Sequence, residues 1–473
     1  METGRHGEID IRVEPAVLVG VQLGGSDVDF RASLEELRAL AETAGVRVVG
    51  TLEQRRAAPR GKTYIGKGKV EELAAICREL GAKVVIFDNE LAPTQVAELE
   101  KSLSTKVIDR SELILDIFAN RATTKQAQLQ VEIAQLEYTA PRLRAMWSHL
   151  GQVTGGAPVG VGTRGPGEQQ LEIDRRIVKV KLDRLRRELG EIEARRSREV
   201  RQRRDEHFTA ALVGYTNAGK SSLFNRLTRG GAYAADKLFA TLGTRVEQWN
   251  LGGGNAALLS DTVGFVQRLP HHLVASFRAT LEDAIESHVI LVVLDAADRS
   301  APMQHRTVSS VLDEIGATTQ PRILLLNKVD RLPETWLPED GPDRRLEEWL
   351  ARVPDAMPVS AITGEGLDAL AARVLSLMKG DVRPCILSMP LSDGRAIDFV
   401  EKRVPVSERR WTDGRVELSV EIGRRQLEQL LAGGARLTVD GLPPHEALRS
   451  LWPEPARPAP ARPRPHDSFA VGE

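Results

Sequence analysis

Two cysteines, Cys77 and Cys385, stand far apart in a chain of 473 residues, which leaves no disulfide framework. That usage fits a reducing cytosol, and both residues read as packed thiols. Long apolar runs are missing too. The longest, such as VILVVLD at 289–295, have the length of strands and cannot span a bilayer. The opening METGRHGEIDIRVE is polar and lacks the apolar core of a secretory signal. Charge of one sign is absent from the whole: the formal net charge is -1, so any nucleic-acid signal must be local. These absences predict a cytoplasmic protein without a transmembrane segment, with at most a fraction held peripherally at a membrane. With 41% hydrophobic and 28% charged residues the composition is that of a soluble chain of two to four domains.

What is present falls into regions. Residues 1–120 alternate strand and helix patterns: AVLVGVQL, SLEELRALAETAG, VRVVG, KVEELAAICRELG and AKVVIFD. Such alternation predicts a small, mainly parallel sheet. In the first helix Ser33 reads as the cap, with Glu36 three residues on and Gly45 as the stop. TYIGKGKVEEL before the second helix is either an anion site or a plain loop-to-helix turn.

Residues 121–206 carry two apolar stripes, Leu129, Ile133, Leu136, Ala140, Leu143 and Val178, Leu182, Leu185, Leu189, Ile192. Their spacing predicts two helices facing each other in a hairpin, with Pro141 bending or ending the first. From Asp174 to Arg204 thirteen lysines and arginines oppose six acids, a surplus of seven. That surplus predicts a surface for nucleic acid or the ribosome. The joining stretch GQVTGGAPVGVGTRGPGE holds seven glycines. Its ordering cost is high when free, and its backbone and Arg164 suit close approach to phosphates.

Residues 207–379 form a second α/β unit. Residues 380–448 mix strands, read in GRAIDFVEKR and GRVELSVEIG, with a helix near Arg424–Leu431. Residues 449–473, with PEPARPAPARPRP, read as a disordered proline-rich tail.

Chemistry concentrates in FTAALVGYTNAGKSSLFNRL. Gly214, Gly219, Lys220 and Ser221 satisfy GxxxxGK[ST] between a strand and a helix. The loop Gly214, Tyr215, Thr216, Asn217, Ala218, Gly219 and the helix start Lys220, Ser221, Ser222 would wrap phosphates in backbone amides. Lys220 reaches the β- and γ-phosphates, and Ser221 offers its hydroxyl to Mg²⁺. In LLSDTVG, Asp261 can hold the Mg²⁺ shell and the Gly264 amide can meet the γ-phosphate. LLLNKVD supplies Asn327, Lys328 and Asp330. A carboxylate at 330 accepts two hydrogens from guanine that adenine does not offer in that arrangement. Ser360 and Ala361, in PVSAITGEG, suit a loop whose amide meets the guanine oxygen. A γ-phosphate-sensing threonine is Thr241 or Thr244, with Thr241 preferred. Together these predict a GTPase in which Lys220, Thr241 and Gly264 serve catalysis and Ser221, Thr241 and Asp261 hold Mg²⁺.

These motifs resemble the HflX family of ribosome-splitting GTPases, on TYIGKGKVEEL, VIFDNELAPTQ, VIDRSELILDIFA, RATTKQAQLQVEIAQLEY, GTRGPGEQQLEIDRR, GYTNAGKSSLFNRL, LFATL, DTVGFVQRLPHHLVASFRATLED and NKVD. The resemblance implies an α/β fold: an N-terminal α/β domain with a long helical hairpin, a P-loop GTPase domain and a small C-terminal α+β domain. It implies a monomer that binds the 50S subunit and 70S ribosome, with the tip around Gly151–Gly167 near rRNA of the peptidyl transferase centre. The basic residues Arg164, Arg175, Arg176, Arg195, Arg196 and Arg198 are then candidate ribosome contacts. In the GTP state such proteins split stalled or idle 70S ribosomes, and hydrolysis favours release. Some members also bind ATP through the N-terminal domain. Where members read LFATLDPTTR, this chain reads LFATLGTR, a shorter first switch that keeps Thr241.

One catalytic piece is missing from the letters. Many GTP switches follow DxxG with a glutamine that orients water; here Phe265 stands there, and a phenyl ring cannot hold water by hydrogen bonds. The ribosome could supply the water-orienting group. K⁺ held near Asn217 is a second route, against a loop-bracing role for that side chain. Two other functions stay open: a GTP-timed assembly factor for the large subunit, and a nucleotide-gated scaffold for proteins or membrane. His149, His271 and His272 lack the paired acids or cysteines of a metal or acid–base centre.

Overall fold

Buried-strand patterns and glycine-stopped helices alternate from the start of the chain. The computed structural model describes residues 14–24, 30–153, 166–228, 244–266, 281–332 and 344–453, with backbone alone from 141 to 175. Its first layer is a four-stranded sheet in the order β2-β1-β3-β4, with β1 Pro15–Leu23, β2 Arg47–Arg56, β3 Val84–Phe87 and β4 Lys106–Asp109. All three strand pairings are parallel. The strands are connected through α1 Phe30–Thr43, α2 Lys67–Leu80 and α3 Pro93–Leu103, and α4 Arg110–Arg121 follows β4. Gly45 and Gly81 stop α1 and α2 at φ 82° and 63°, values a side chain would resist.

The expected cap at Ser33 is corrected. Helix α1 begins three residues earlier, and Ser33 is buried within it, its hydroxyl donating to Asp88 Oδ2 at 2.8 Å. The residues spaced like a cap and its partner serve a tertiary contact instead. TYIGKGKVEEL is a loop-to-helix turn that buries Tyr64 and Ile65; the Gly66 N–H donates to Gln54 Oε1 at 3.1 Å.

The two apolar stripes meet from Leu129 to Leu136 and from Leu182 to Ile192, as their periods require; the Leu143 side chain lies outside the described residues. α5 (Lys125–Val153) and α6 (Pro166–Glu206) form the hairpin, with Leu129 and Ile133 packed against Leu185 and Leu189. Leu136, Leu182 and Ile192 flank this core. Cross-hairpin ion pairs Lys181–Glu132 and Arg186–Glu137, both 2.7 Å, line its rim. Pro141 does not end α5, which continues for another three turns. Gly151 lies in α5 and Gly167 in α6, while residues 154–165 fall outside the described ones.

The next layer is a six-stranded sheet in the order β10-β9-β8-β5-β7-β6. Its strands are β5 Thr209–Gly214, β6 Arg245–Gly252, β7 Asn255–Asp261, β8 Val289–Asp295, β9 Arg322–Asn327 and β10 Met357–Pro358. β5, β8 and β9 are near-continuous apolar runs with mostly buried side chains, as a parallel sheet covered on both faces demands. Helices α7 Lys220–Thr228, α8 Glu282–Ile285, α9 Ala301–Glu314, α10 Arg345–Arg352 and α11 Leu367–Lys379 accompany it.

The C-terminal unit is an antiparallel sheet, β12-β13-β11-β14, from β11 Val382–Pro390, β12 Val406–Thr412, β13 Arg415–Gly423 and β14 Thr438–Val439. Helices α12 Gly394–Arg403, α13 Arg424–Ala432 and α14 Pro444–Leu451 complete it. GRAIDFVEKR, expected as a strand, is α12. Asp393 caps it by accepting from the Ala396 N–H at 3.3 Å, and Ala396 and Val400, four apart, enter the core. The unit runs past the boundary expected at 448: Trp452 is buried and donates from Nε1 to Asp381 O at 2.6 Å. Tail residues 454–473 lie outside the described ones. Cys77 and Cys385 are both free and buried, and burial pushes the Cys385 thiol up to about 12, Asp440 adding to it. Among the described residues no helix is long and apolar enough to cross a membrane.

Candidate functional site

β5 ends in Gly214 because no side chain fits there. A Cβ at that position would stand 2.2 Å from Val293 O on β8. Residues 215–219 then loop over the sheet end into α7, whose first turn leaves amides without helical partners. Gly219 adopts φ 91°, and its Cβ would lie 2.3 Å from Asn327 Nδ2. The loop is thereby pressed against the end of β9.

Lys220 is buried, its Nζ donating to Gly214 O at 3.0 Å and Tyr215 O at 2.8 Å. Burial pushes its ammonium down to about 8; Asp261 pulls it back and Lys328 lowers it further. The Ser221 hydroxyl donates to Asp261 Oδ2 at 2.7 Å, so the two expected Mg²⁺ residues already share a place. Gly264 also has no room for a side chain, since a Cβ would be 2.9 Å from Lys220 Nζ.

Phe265 is 2% exposed. Its N–H donates to Gly214 O at 3.1 Å and its carbonyl accepts from Thr216 N at 2.7 Å. The residue standing where a water-orienting side chain is often found instead packs its ring in the core. Its backbone splints the DxxG loop to the phosphate loop. Asn217 is exposed at φ 62°, and its side chain makes no hydrogen bond among the described residues.

Asn327 joins three loops: Nδ2 donates to Ala218 O at 2.8 Å, and Oδ1 accepts from Ala361 N at 3.2 Å. Lys328 Nζ donates to Asn217 O at 2.7 Å and pairs with Asp295 at 2.8 Å. Asp330 Oδ1 accepts from the Ser360 hydroxyl at 2.5 Å. The Ser360 oxygen in turn accepts from Thr363 N at 3.1 Å, so Ser360 braces Asp330 within its own loop. Asp295, at the end of β8, was not foreseen. An acid ending the strand beside NKVD was the available signal. Thr241, His271 and His272 lie outside the described residues.

Four family models match in chain order: GTP-binding GTPase N-terminal over 31–119, GTP-binding GTPase middle region over 121–203, 50S ribosome-binding GTPase over 209–328, and HflX C-terminal domain over 346–435. "GTPase HflX" of Alkalihalophilus pseudofirmus is 38% identical over 410 residues, 86% of this chain and 93% of the relative. "GTPase HflX" of Escherichia coli is 39% identical over 412 residues, 86% of this chain and 93% of the relative. The chain belongs to the HflX family of GTPases. It is a GTP hydrolase, with its P-loop domain following an α/β domain and a helical region. A solved GTP-binding protein from Sulfolobus solfataricus in complex with GDP is similar at 24% identity, with 77% of this chain and 98% of that chain covered and a TM-score of 0.42.

Within this HflX-family chain the hairpin meets the GTPase domain through arginines. Arg176, Arg195 and Arg198 are exposed, as a contact surface requires. Arg164 and the Arg175 side chain lie outside the described residues. Arg196 departs from the expectation of a ribosome contact. Its guanidinium bonds Gln126 Oε1 at 2.9 Å, Thr244 Oγ1 at 2.6 Å and Asp283 Oδ2 at 2.7 Å. Arg204 pairs with Glu286 at 2.7 Å and Arg203 with Asp283 at 3.6 Å. Part of the positive surplus of α6 is therefore spent on Asp283 of α8 and on Glu286 just after it, because those carboxylates need cationic partners beside them.

A second unforeseen contact reaches the phosphate loop from the N-terminal domain. The Tyr215 phenol oxygen lies 3.0 and 2.9 Å from the two carboxylate oxygens of Glu36.

Proposed function

We propose that this GTPase acts on ribosomes: in its GTP state it binds the large subunit through the helical hairpin and splits stalled or idle 70S particles, and hydrolysis favours release. What carries the reading is family membership together with the match of residues 209–328 to a model described as a 50S ribosome-binding GTPase. The buried Phe265 adds a physical reason for a partner, since the position that often orients water holds a phenyl ring packed in the core, and a group supplied from outside would do that work.

In this reading the amides from Gly214 to Ser222 cradle the phosphates. Lys220 turns from its two carbonyls to the β- and γ-phosphates, whose charge returns it to the full ammonium. The Gly264 amide meets the γ-phosphate. Asn327 and the Lys328 stem frame the base, Asp330 accepts from its N1–H and amine, and the Ala361 amide meets its oxygen. The paired oxygens of Ser221 and Asp261 are hard ligands of the kind Mg²⁺ takes, with Thr241 the third residue assigned to it. Mg²⁺, when bound there, would supply neutralising charge for the phosphates. A K⁺ ion beside Asn217 would add positive charge at the same place. Arg164, Arg175, Arg176, Arg195 and Arg198 face rRNA near the peptidyl transferase centre.

Light scattering of purified 70S particles tests this. A fall with GTP and with a non-hydrolysable analogue, but not with GDP, is expected. Binding to free or precursor 50S without a fall would favour the assembly-factor reading. No affinity for any particle would favour the scaffold reading.

A further inference from the structure

A phenol inside a phosphate loop is costly to bury unless its oxygen is satisfied. Tyr215 is 4% exposed, and its acceptor comes from a helix 179 positions away in sequence. That acceptor is itself fixed. Glu36 forms an ion pair at 3.0 Å, off the line of a hydrogen bond, with Arg110, whose side chain is only 2% exposed. Arg110 donates to Asp88 Oδ1 at 2.7 Å, and Asp88 Oδ2 accepts from the Ser33 hydroxyl at 2.8 Å. α1, the end of β3 and the start of α4 are thus locked around one buried guanidinium. Two carboxylates face one cation, and the phenol supplies a donor to the surplus charge.

The backbone of Tyr215 faces the other way, into the chemistry. Its carbonyl accepts from Lys220 Nζ at 2.8 Å, and it pairs with Phe265 as an isolated bridge. Its side chain and its carbonyl therefore answer to different domains.

We propose that Glu36 is a positioning residue of the GTP site: it holds the phosphate loop through the Tyr215 phenol, and so ties nucleotide affinity to the N-terminal domain. Through this strut the phosphate loop, whose amides receive the nucleotide, is kept in register with the rigid frame of Arg110 and Asp88. Coupling of this kind is reciprocal. Nucleotide in the pocket stabilises α1 against opening, by the same factor that an intact α1 favours nucleotide. The inference rests on the GTP-hydrolase assignment and on no ribosome contact, so its test is free of ribosomes.

The test uses the full chain with GTP and GDP. Tyr215→Phe removes one hydroxyl, keeps the ring and changes no charge at neutral pH. It is expected to weaken both nucleotides by about fivefold or more. GDP should slow hydrogen exchange of α1 amides in the wild type and should no longer do so in the variant. Glu36→Gln should weaken binding similarly, and the double variant should be no worse than the poorer single one. Should Glu36→Gln fail to fold, Tyr215→Phe carries the test alone. Affinities within twofold of the wild type in Tyr215→Phe would overturn the proposal, as would losses that multiply in the double variant. Failure of the wild type to bind GTP or GDP would instead overturn the GTP-site reading on which the proposal rests.

Discussion

Arg196 Nη2 lies 2.6 Å from the hydroxyl of Thr244, and the same nitrogen is 2.7 Å from Asp283. One hairpin side chain thus ties two stretches of the GTPase domain, one on each side of β6 and β7. It is expected to behave as a structural arginine. Arg196→Ala leaves the Asp283 carboxylate, only 7% exposed, short of its closest cation. The expected cost is about 1–3 kcal/mol. Arg198→Ala, at an exposed position, is expected to stay within about 0.5 kcal/mol of the wild type. Denaturant melts of the two variants check this; equal midpoints would contradict the role given to Arg196.

Asp330→Asn is expected to lose guanine selectivity. The substitution replaces one acceptor oxygen with a donor that meets the donor edge of the base, and it disturbs the 2.5 Å bond from Ser360. Affinity for both GTP and GDP should fall by about tenfold or more, with ATP gaining nothing comparable. Ser360→Ala should weaken guanine nucleotides less, because it removes a brace and leaves the reader. Competition titrations check the order. Unchanged relative affinities in Asp330→Asn would remove that residue from the site.

What was legible in the letters follows from where the constraint lies. The phosphate loop and NKVD were readable because each motif is contiguous and its geometry is dictated by one ligand. The hairpin core was readable because Leu129, Ile133, Leu185 and Leu189 obey a helical period. Ser33 and Glu36 were misread as a cap, since spacing three apart serves a capping box and a shared helix face equally well. Their true partners, Asp88, Arg110 and Tyr215, lie 55 to 179 positions away and leave no local trace. Strand β13 alternates and was found. The neighbouring GRAIDFVEKR was not, because ten residues hold too few apolar positions to separate the two periods. The charge surplus of α6 was counted correctly, but counting cannot say which arginines are turned inward to Asp283 and Glu286.

Lys220 makes nucleotide binding sensitive to pH. Burial holds its pKa at about 8, so above that value the amine is largely neutral before nucleotide enters. Phosphate in the pocket restores the charged form, and binding must then take up a proton. GDP affinity is expected to fall as pH rises through 8 towards 10, by close to tenfold per pH unit at the steepest. Below pH 7 the dependence on this group vanishes. Calorimetry in buffers of different ionisation enthalpy should record proton uptake of up to about one near pH 9. Lys220→Ala should bind weakly and take up none. Proton release in the wild type would contradict the sign.

Two measurements bear together on the partner. Phe265 is fixed in the core and cannot orient water, so basal GTP hydrolysis should be slow and severalfold or more faster with saturating 50S or 70S particles. The exposed cations of α6 should make particle binding fall with salt. One phosphate contact for each of the five arginines assigned to rRNA implies a slope of about −3.5 to −4.5 in log affinity against log salt. Reversing Arg195 and Arg198 together, while sparing Arg196, should flatten that slope without unfolding the hairpin. Deleting the tip between Gly151 and Gly167 should separate the two activities: binding through the helices persists and splitting is lost. Phosphate release, pelleting at graded salt and scattering supply the readouts. Hydrolysis that saturating particles do not accelerate, with a salt-independent pellet, would leave the GTP site intact and remove the ribosome from its function.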